Sequence, residues 1–303
     1  MEFKRHNMKN RNQFKKAFSM AGLCLMLTAT YGLGATQAAT YTVDTTRDPT
    51  GLAAVGFDAC TAAPGDCSLR GAIGKANAVF FDDTINFDAS LLDTTIVLNG
   101  EIGISGNGSL SINGLGANHL TISGNGASRV FTVSSLAGST TSISDLKMVN
   151  GYSSYGGALY NAGTLTLTNV TVSGSYAEYS GGIINYATLT LINSTVNGNL
   201  GFRYGGGIGN YGTLNLTNST ISGNSSNTYG GGIYNQTGLF SNVSAMVNST
   251  HSTITGNSSY FGGGINTQYG GSFNINNTIV SGNSVSFPYG TADVYGSTFV
   301  SGG

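Results

Sequence analysis

The chain has 303 residues with a formal net charge of −1, 47 glycines, 3 prolines and no tryptophan, and only 8% of its residues are charged. Half of its 12 Lys and Arg, but Glu2 alone of its 13 acids, lie in the first 39 residues, so the remainder carries 12 acids against 6 bases, a net of −6. That balance excludes nucleic-acid binding through a basic patch, which needs clustered Lys and Arg, and the regular spacing of Ile, Leu and Val excludes the disorder that much Gly, Ser and Asn would otherwise imply.

At the N-terminus, Lys4, Arg5, Lys9, Arg11, Lys15 and Lys16 precede the apolar run AGLCLMLTATYGLGA and the small-residue stretch TQAA. This is the order of a secretory signal peptide over 1–39, with cleavage after Ala38 or Ala39 and an exported mature chain. The apolar run falls short of the ~20 residues a spanning helix needs, and no later window approaches that length, so no transmembrane segment is expected in the mature chain. Cys24 follows Leu23, where a lipoprotein signal takes a small residue.

Residues 40–83 read as an N-terminal cap. Cys60 and Cys67 are the two cysteines left after export and are expected to form a local disulfide. A metal pair is the rival reading, but without a nearby His or further Cys they fill only half of a tetrahedral zinc shell. SLRGAIGKANA, Ser68–Ala78, sets Leu69, Ala72, Ile73 and Ala76 at helical spacing behind Ser68 as N-cap, predicting a short amphipathic helix over the open end of the downstream strands. TINF at 84, TIVL at 95, LSI at 110, LTI at 120 and VFTV at 130 read as those strands, with Gly-Asn turns such as SGNGS and SGNGA.

The second half repeats. TLTLTNVTVSG begins at Thr164, TLTLINSTVNG at Thr188 and TLNLTNSTISG at Thr213, steps of 24 and 25 residues, and the glycine stretches before Leu159, Ile183, Ile208, Ile233 and Ile265 keep the beat with one longer step at QTGLFSNVSAMVNS. Each repeat holds three short alternating or β-branched runs, too short for helices and too small to bury a face alone. This predicts a parallel β-helix over 84–303, with rungs of ~24–25 residues spaced ~4.8 Å apart; propeller blades need longer repeats. Stacking turns Leu165, Leu189 and Leu214, with Leu167, Leu191 and Leu216, into inward rows. It also predicts an asparagine ladder of Asn161, Asn185, Asn210 and Asn235, and an aromatic stack of Tyr155, Tyr179, Tyr204 and Tyr229.

The residues carry a resemblance. CSLRGAI at 67–73, then DTINF, TIVLNG and LTISGNGASRVFTV, then repeats of GGGI and TLTLTN, resemble bacterial exported β-helix proteins with an N-terminal Cys-Ser-Leu-Arg-Glu-Ala motif and repeats like those of the chlamydial polymorphic outer membrane proteins. The resemblance implies a right-handed parallel β-helix of the pectin-lyase-like kind, a place at the cell surface or outside the cell, and an adhesin-like role. Gly71 stands where that motif has Glu, at a cost to the cap helix of about 1 kcal/mol. The repeats read GGGI with a separate SGN instead of paired GGAI and FxxN. The chain stops at TFVSGG, within a strand-like run without a cap or barrel segment, which reads as a truncated product whose last rung is open to end-to-end association.

Chemistry is thinly supplied. GIGNYG, Gly207–Gly212, matches the dinucleotide fingerprint by letter, but a strand comes after it where the fingerprint needs a helix. After Asn150 the only charges are Glu178, Arg203 and Asp293. Glu178 and Arg203, one rung apart, read as a surface ion pair and are the sole candidates for a polysaccharide-cleaving site. Asp82, Asp83, Asp88, Asp93 and Glu101 read as turn residues, with calcium ligation the alternative. His119 and His251 read as isolated. The Asn-x-Ser/Thr triplets at Asn169, Asn193, Asn218, Asn248 and Asn276 read as turn asparagines sharing one repeat position. Outward rows of Thr164, Thr166, Thr188, Thr190 and Thr213 form a candidate contact surface for glycans, another protein or ice, against ordinary β-propensity. These residues are expected to make an exported, non-catalytic scaffold without a cofactor. The alternatives are a polysaccharide lyase or hydrolase of similar fold, and a glycan- or ice-binding face.

Overall fold

A run such as TLTLT sends alternate side chains to opposite faces, and a chain that repeats the run once per turn can lay each copy on the one before. The computed structural model describes residues 37–50, 59–106, 108–238, 244–288, 290–296 and 299–302. The leader read over 1–39 lies outside them apart from 37–39, as does the middle of the insertion, 239–243. The unit Ala38–Gly303 is an all-β parallel β-solenoid of about eight turns with a single α-helix among the described residues.

Each regular rung contributes four strands, one more than the sequence suggests. In one rung these are Leu159–Asn161, Thr164–Thr168, Thr171–Ser173 and Tyr176–Tyr179. Stacked, they form a glycine-led sheet, a long sheet, a threonine-valine sheet and a tyrosine sheet of 8, 10, 8 and 6 strands among the described residues. The extra strand, YAEY and its equivalents YSSY and LGFRY, shows no apolar alternation, because only Ala177 and Gly201 point inward. The long sheet runs from Thr40–Val43 to Phe299–Gly302, so it begins inside the cap region.

Leu165, Leu189 and Leu214 are in direct register, as are Leu167, Leu191 and Leu216, and all are buried. Ile183, Ile208, Ile233 and Ile265 form the row opposite. Each such side chain contributes ~1.5–3 kcal/mol of transfer free energy. At the corner before Ile233, Gly230 has φ +64°, and a Cβ on Gly231 would sit 2.3 Å from the Ser258 carbonyl oxygen. Only glycine fits both demands.

Two rows of buried asparagines inside the solenoid are bonded to their own copies, and a row of hydroxyls is bonded to the backbone of the neighbouring rung. Asn161, Asn185 and Asn210 each donate Nδ2 to the Oδ1 of the next asparagine, ending on Asn235, at 2.8, 2.7 and 2.8 Å, and all four are fully buried. A second ladder, which the repeat spacing did not suggest, runs Asn199, Asn224, Asn257 and Asn283 at 3.0, 3.0 and 2.9 Å and ends on the carboxylate of Asp293 at 2.9 Å. Ser194, Ser219, Ser252 and Thr278 form a third, each hydroxyl accepting the backbone N–H of the residue one rung earlier. A buried amide without such a partner costs ~1–3 kcal/mol, so the ladders fix both register and spacing.

The N-terminal end is closed by helix α1, Leu69–Asn77, whose Ser68 hydroxyl accepts the Gly71 N–H at 3.0 Å. Cys60 and Cys67 are joined in a disulfide, and Asp44 accepts the N–H groups of Gly65 and Cys67 beside it. Asp48, buried, grips the Arg70 guanidinium at 2.7 and 2.8 Å and accepts the Asn99 N–H, tying the helix to the first turn.

Replacing Asn210 by Ala strands a donor on Asn185 and an acceptor on Asn235, and is expected to lower unfolding free energy by about 2–4 kcal/mol in denaturant titrations. Asn215→Ala, one strand away on the outer face, should change it by less than about 1 kcal/mol.

Candidate functional site

The tyrosine sheet is where the rungs differ most from one another. Its first strand, Tyr152–Tyr155, would present a bare edge. Arg129 closes it, donating to the carbonyls of Tyr155 and Gly156 and to the Ser153 hydroxyl while pairing with Glu101 at 2.7 Å. Along the stack, one outward column reads Tyr152, Tyr176, Leu200, Ser225, Ser258, Ser284, so the face passes from phenols to hydroxyls.

A β-bulge interrupts the register between Tyr176–Tyr179 and Leu200–Tyr204. A bulge inserts one residue and re-aims its neighbours, and here it leaves Phe202 48% exposed. Phe202, Tyr152, Tyr176, Ser153, Ser154 and Glu178 line a hollow of about 280 Å³. Arg203, next to the bulge, donates Nε–H to Glu178 at 3.0 Å and lays its guanidinium over Tyr179, 5.5 Å from the ring centre. With side chains 49% and 45% exposed, this pair contributes ~0–1 kcal/mol. Further along, Ser225, Ser258 and Ser284 lie in a hydroxyl-lined hollow of about 460 Å³. The arrangement offers phenol, hydroxyl and one carboxylate to a ligand, with the exposed rings of Tyr152, Tyr176 and Phe202 able to meet an apolar face.

The expected stack of Tyr155, Tyr179, Tyr204 and Tyr229 has ring centres 4.8, 5.6 and 5.8 Å apart and continues to Phe261 at 5.4 Å. A second column, Tyr160, Tyr186, Tyr211 and Tyr234, stands beside it and meets it at Tyr204–Tyr234, 4.8 Å. Its outer members lie in a strand (Tyr160, Tyr234) and its middle ones in the turn after it (Tyr186, Tyr211), so no fixed spacing reveals it in the sequence. Loss of hydration on burial, reinforced by Tyr160, pushes the Tyr186 phenol up to about 12. Burial likewise raises Tyr211 and Tyr234, reinforced by neighbouring phenols.

Other candidates resolve differently. His119 is not isolated: its Nδ1 lies 2.6 Å from Asp93 Oδ1, one rung earlier, and both side chains are exposed. His251 Nε2 meets Asn277 at 3.2 Å. The five Asn-x-Ser/Thr asparagines do not share one position. Asn169, Asn193 and Asn218 occupy a left-handed turn with φ +54°, +50° and +50°, while Asn248 and Asn276 lie in the long sheet. Gly207–Gly212 leads into strands Ile208–Asn210 and Thr213–Thr217, as a fingerprint loop would not. Asp82, Asp83 and Asp88 accept backbone N–H groups of Ser109, Ala39 and Ser90. Among the described residues no three His, Cys, Asp or Glu converge on one point. Thr164, Thr188 and Thr213 are in register on the outer face of the long sheet, with Thr166 and Thr190 in the row beside them.

Fold and site together define a parallel β-solenoid with an aromatic outer corner, and among the described residues no helix is long and apolar enough to cross a membrane. No family model, curated protein or solved structure matches the chain.

The phenols give a pH signature. A phenol whose folded value is raised above its unfolded value holds its proton longer in the fold, so the stability it contributes is full below pH ~10 and is lost as pH rises through the folded value. Alkaline titration followed by near-ultraviolet absorbance should show phenolate formation lagging in the folded protein behind the denatured one, and unfolding midpoints should fall above pH ~10. Tyr211→Phe should shrink both effects.

Proposed function

We propose that the protein is an exported, non-catalytic parallel β-helix that serves outside the cell or at its surface as an adhesin-like scaffold, presenting the tyrosine sheet to a glycan or a protein. The observation that carries this reading is how the polar groups of the regular rungs are used. The buried asparagine amides bond to one another along the axis and the buried hydroxyls accept backbone N–H groups of the neighbouring rung, and the acid–base pair on those rungs, Glu178 and Arg203, is half-exposed and self-neutralised. A general acid or base works with a free proton-transferring atom next to a substrate bond, whereas Glu178 and Arg203 are engaged with each other, which suits recognition. The leader over 1–39 and the Cys-Ser-Leu-Arg segment beginning at Cys67 support export and a right-handed β-helix of the chlamydial-repeat kind.

The second reading is a polysaccharide lyase or hydrolase, favoured only by the position of Glu178 and Arg203 beside a hollow. To separate the two, the mature chain is incubated with calcium and pectate, alginate or glucuronan. The scaffold account predicts no release of oligosaccharide and glycan-array binding weakened by Phe202→Ala. Release of unsaturated products that Glu178→Ala or Arg203→Ala abolishes would replace it with the lyase.

A further inference from the structure

The long sheet has an outer face unlike an ordinary protein surface. Its middle row passes in unbroken register through Thr40, Thr84, Ser111, Ser142, Thr166, Thr190, Asn215, Asn248 and Asn274. The row on one side is Thr42, Asn86, Asn113, Ser144, Thr168, Ile192, Thr217, Thr250 and Asn276, and a shorter row of Thr140, Thr164, Thr188, Thr213, Met246 and Ser272 lies on the other. None of these positions is charged or aromatic. The register along these rows stays free of bulges, in contrast to the tyrosine sheet.

The side chains are also held still. Ser142 donates to Ser111 at 3.1 Å, Asn113 to Asn86 at 3.0 Å, Asn248 to Asn215 at 3.0 Å and Asn274 to Asn248 at 2.9 Å. Threonines between them have a stiff χ1, and such ladders are what keep a many-stranded sheet from twisting. The result is a lattice of hydroxyls, amides and methyls that repeats every ~4.8 Å along the axis and every ~6.6 Å across the strands. We infer that this face binds ice. The lattice is uncharged as ice is, its repeat along the axis recurs without interruption as that of a crystal face does, and its threonines pair a hydroxyl that can bond water with a methyl beside it. A crystalline polysaccharide is the other flat, uncharged, periodic solid, but stacking on its sugar rings calls for exposed aromatic side chains, and this face has none at the positions named.

This face is distinct from the tyrosine sheet, so ice binding stands or falls separately from the glycan reading. The mature chain is tested for thermal hysteresis, for inhibition of ice recrystallisation and for partition into a slowly growing ice front, alongside Thr190→Lys at the centre of the lattice and Ser258→Lys on the tyrosine sheet. The expected result is activity in the parent and in Ser258→Lys, and loss of most of it in Thr190→Lys with an unchanged thermal melt. If Thr190→Lys fails to fold, Thr217→Lys on the same face takes its place. Absence of activity in the folded parent overturns the inference, as does equal activity in the parent and the lattice variants. So does a lattice-dependent dimer in sedimentation, or retention on crystalline cellulose that Thr190→Lys abolishes in place of ice binding.

Discussion

Every side chain in a parallel solenoid sits between two copies of its own position, one rung above and one below. A buried polar residue that can donate in one axial direction and accept in the other therefore finds both partners among its own copies. Asparagine does both with one flat amide, which is why Asn161, Asn185, Asn210 and Asn235, and separately Asn199, Asn224, Asn257 and Asn283, fill fully or nearly buried positions. Aspartate can only accept when ionised, so it suits the end of such a row, and Asp293 occupies that place. The same logic excludes buried like charges, since a charge repeated every ~4.8 Å would repel its copies.

This constraint divides the molecule into interior and walls. Inside, Leu and Ile rows and amide ladders leave little freedom for chemistry. Outside, two walls depart in opposite directions. The tyrosine sheet breaks its periodicity at the Phe202 bulge and gathers there a ring, a carboxylate and a guanidinium. The long sheet keeps its periodicity and excludes both charge and rings from its outer rows. A local irregularity suits a discrete ligand and a maintained lattice suits an extended one, so one fold can present two kinds of surface.

The features legible in the sequence were those that repeat with the 24- or 25-residue step and alternate cleanly. The inward leucines, the Asn161 row and the Tyr155 stack met those conditions, and the Ser68-capped helix showed helical spacing of its apolar residues instead. The fourth strand did not meet them, because YAEY, LGFRY and SS share little but an inward small residue. The second asparagine row follows glycines with φ near +62°, as at Gly198 and Gly223, which turn its members into the core where no alternating run marks them. The Asp93–His119 contact lay in the less regular half, yet its 26-residue separation is again one rung. The spacing argument that paired Glu178 with Arg203 would have found it.

In-register stacking, more than any single contact, specifies this structure. Excising one full rung, residues 165–188, joins Thr164 to Leu189 and restores every row with one member fewer, the axial step being 24 residues. Amide hydrogen exchange on that variant should show a shorter, still cooperatively protected solenoid with its sheets intact, while excision of half a rung, 165–176, should abolish protection on the C-terminal side of the cut. Equal loss of protection in both variants would contradict the account.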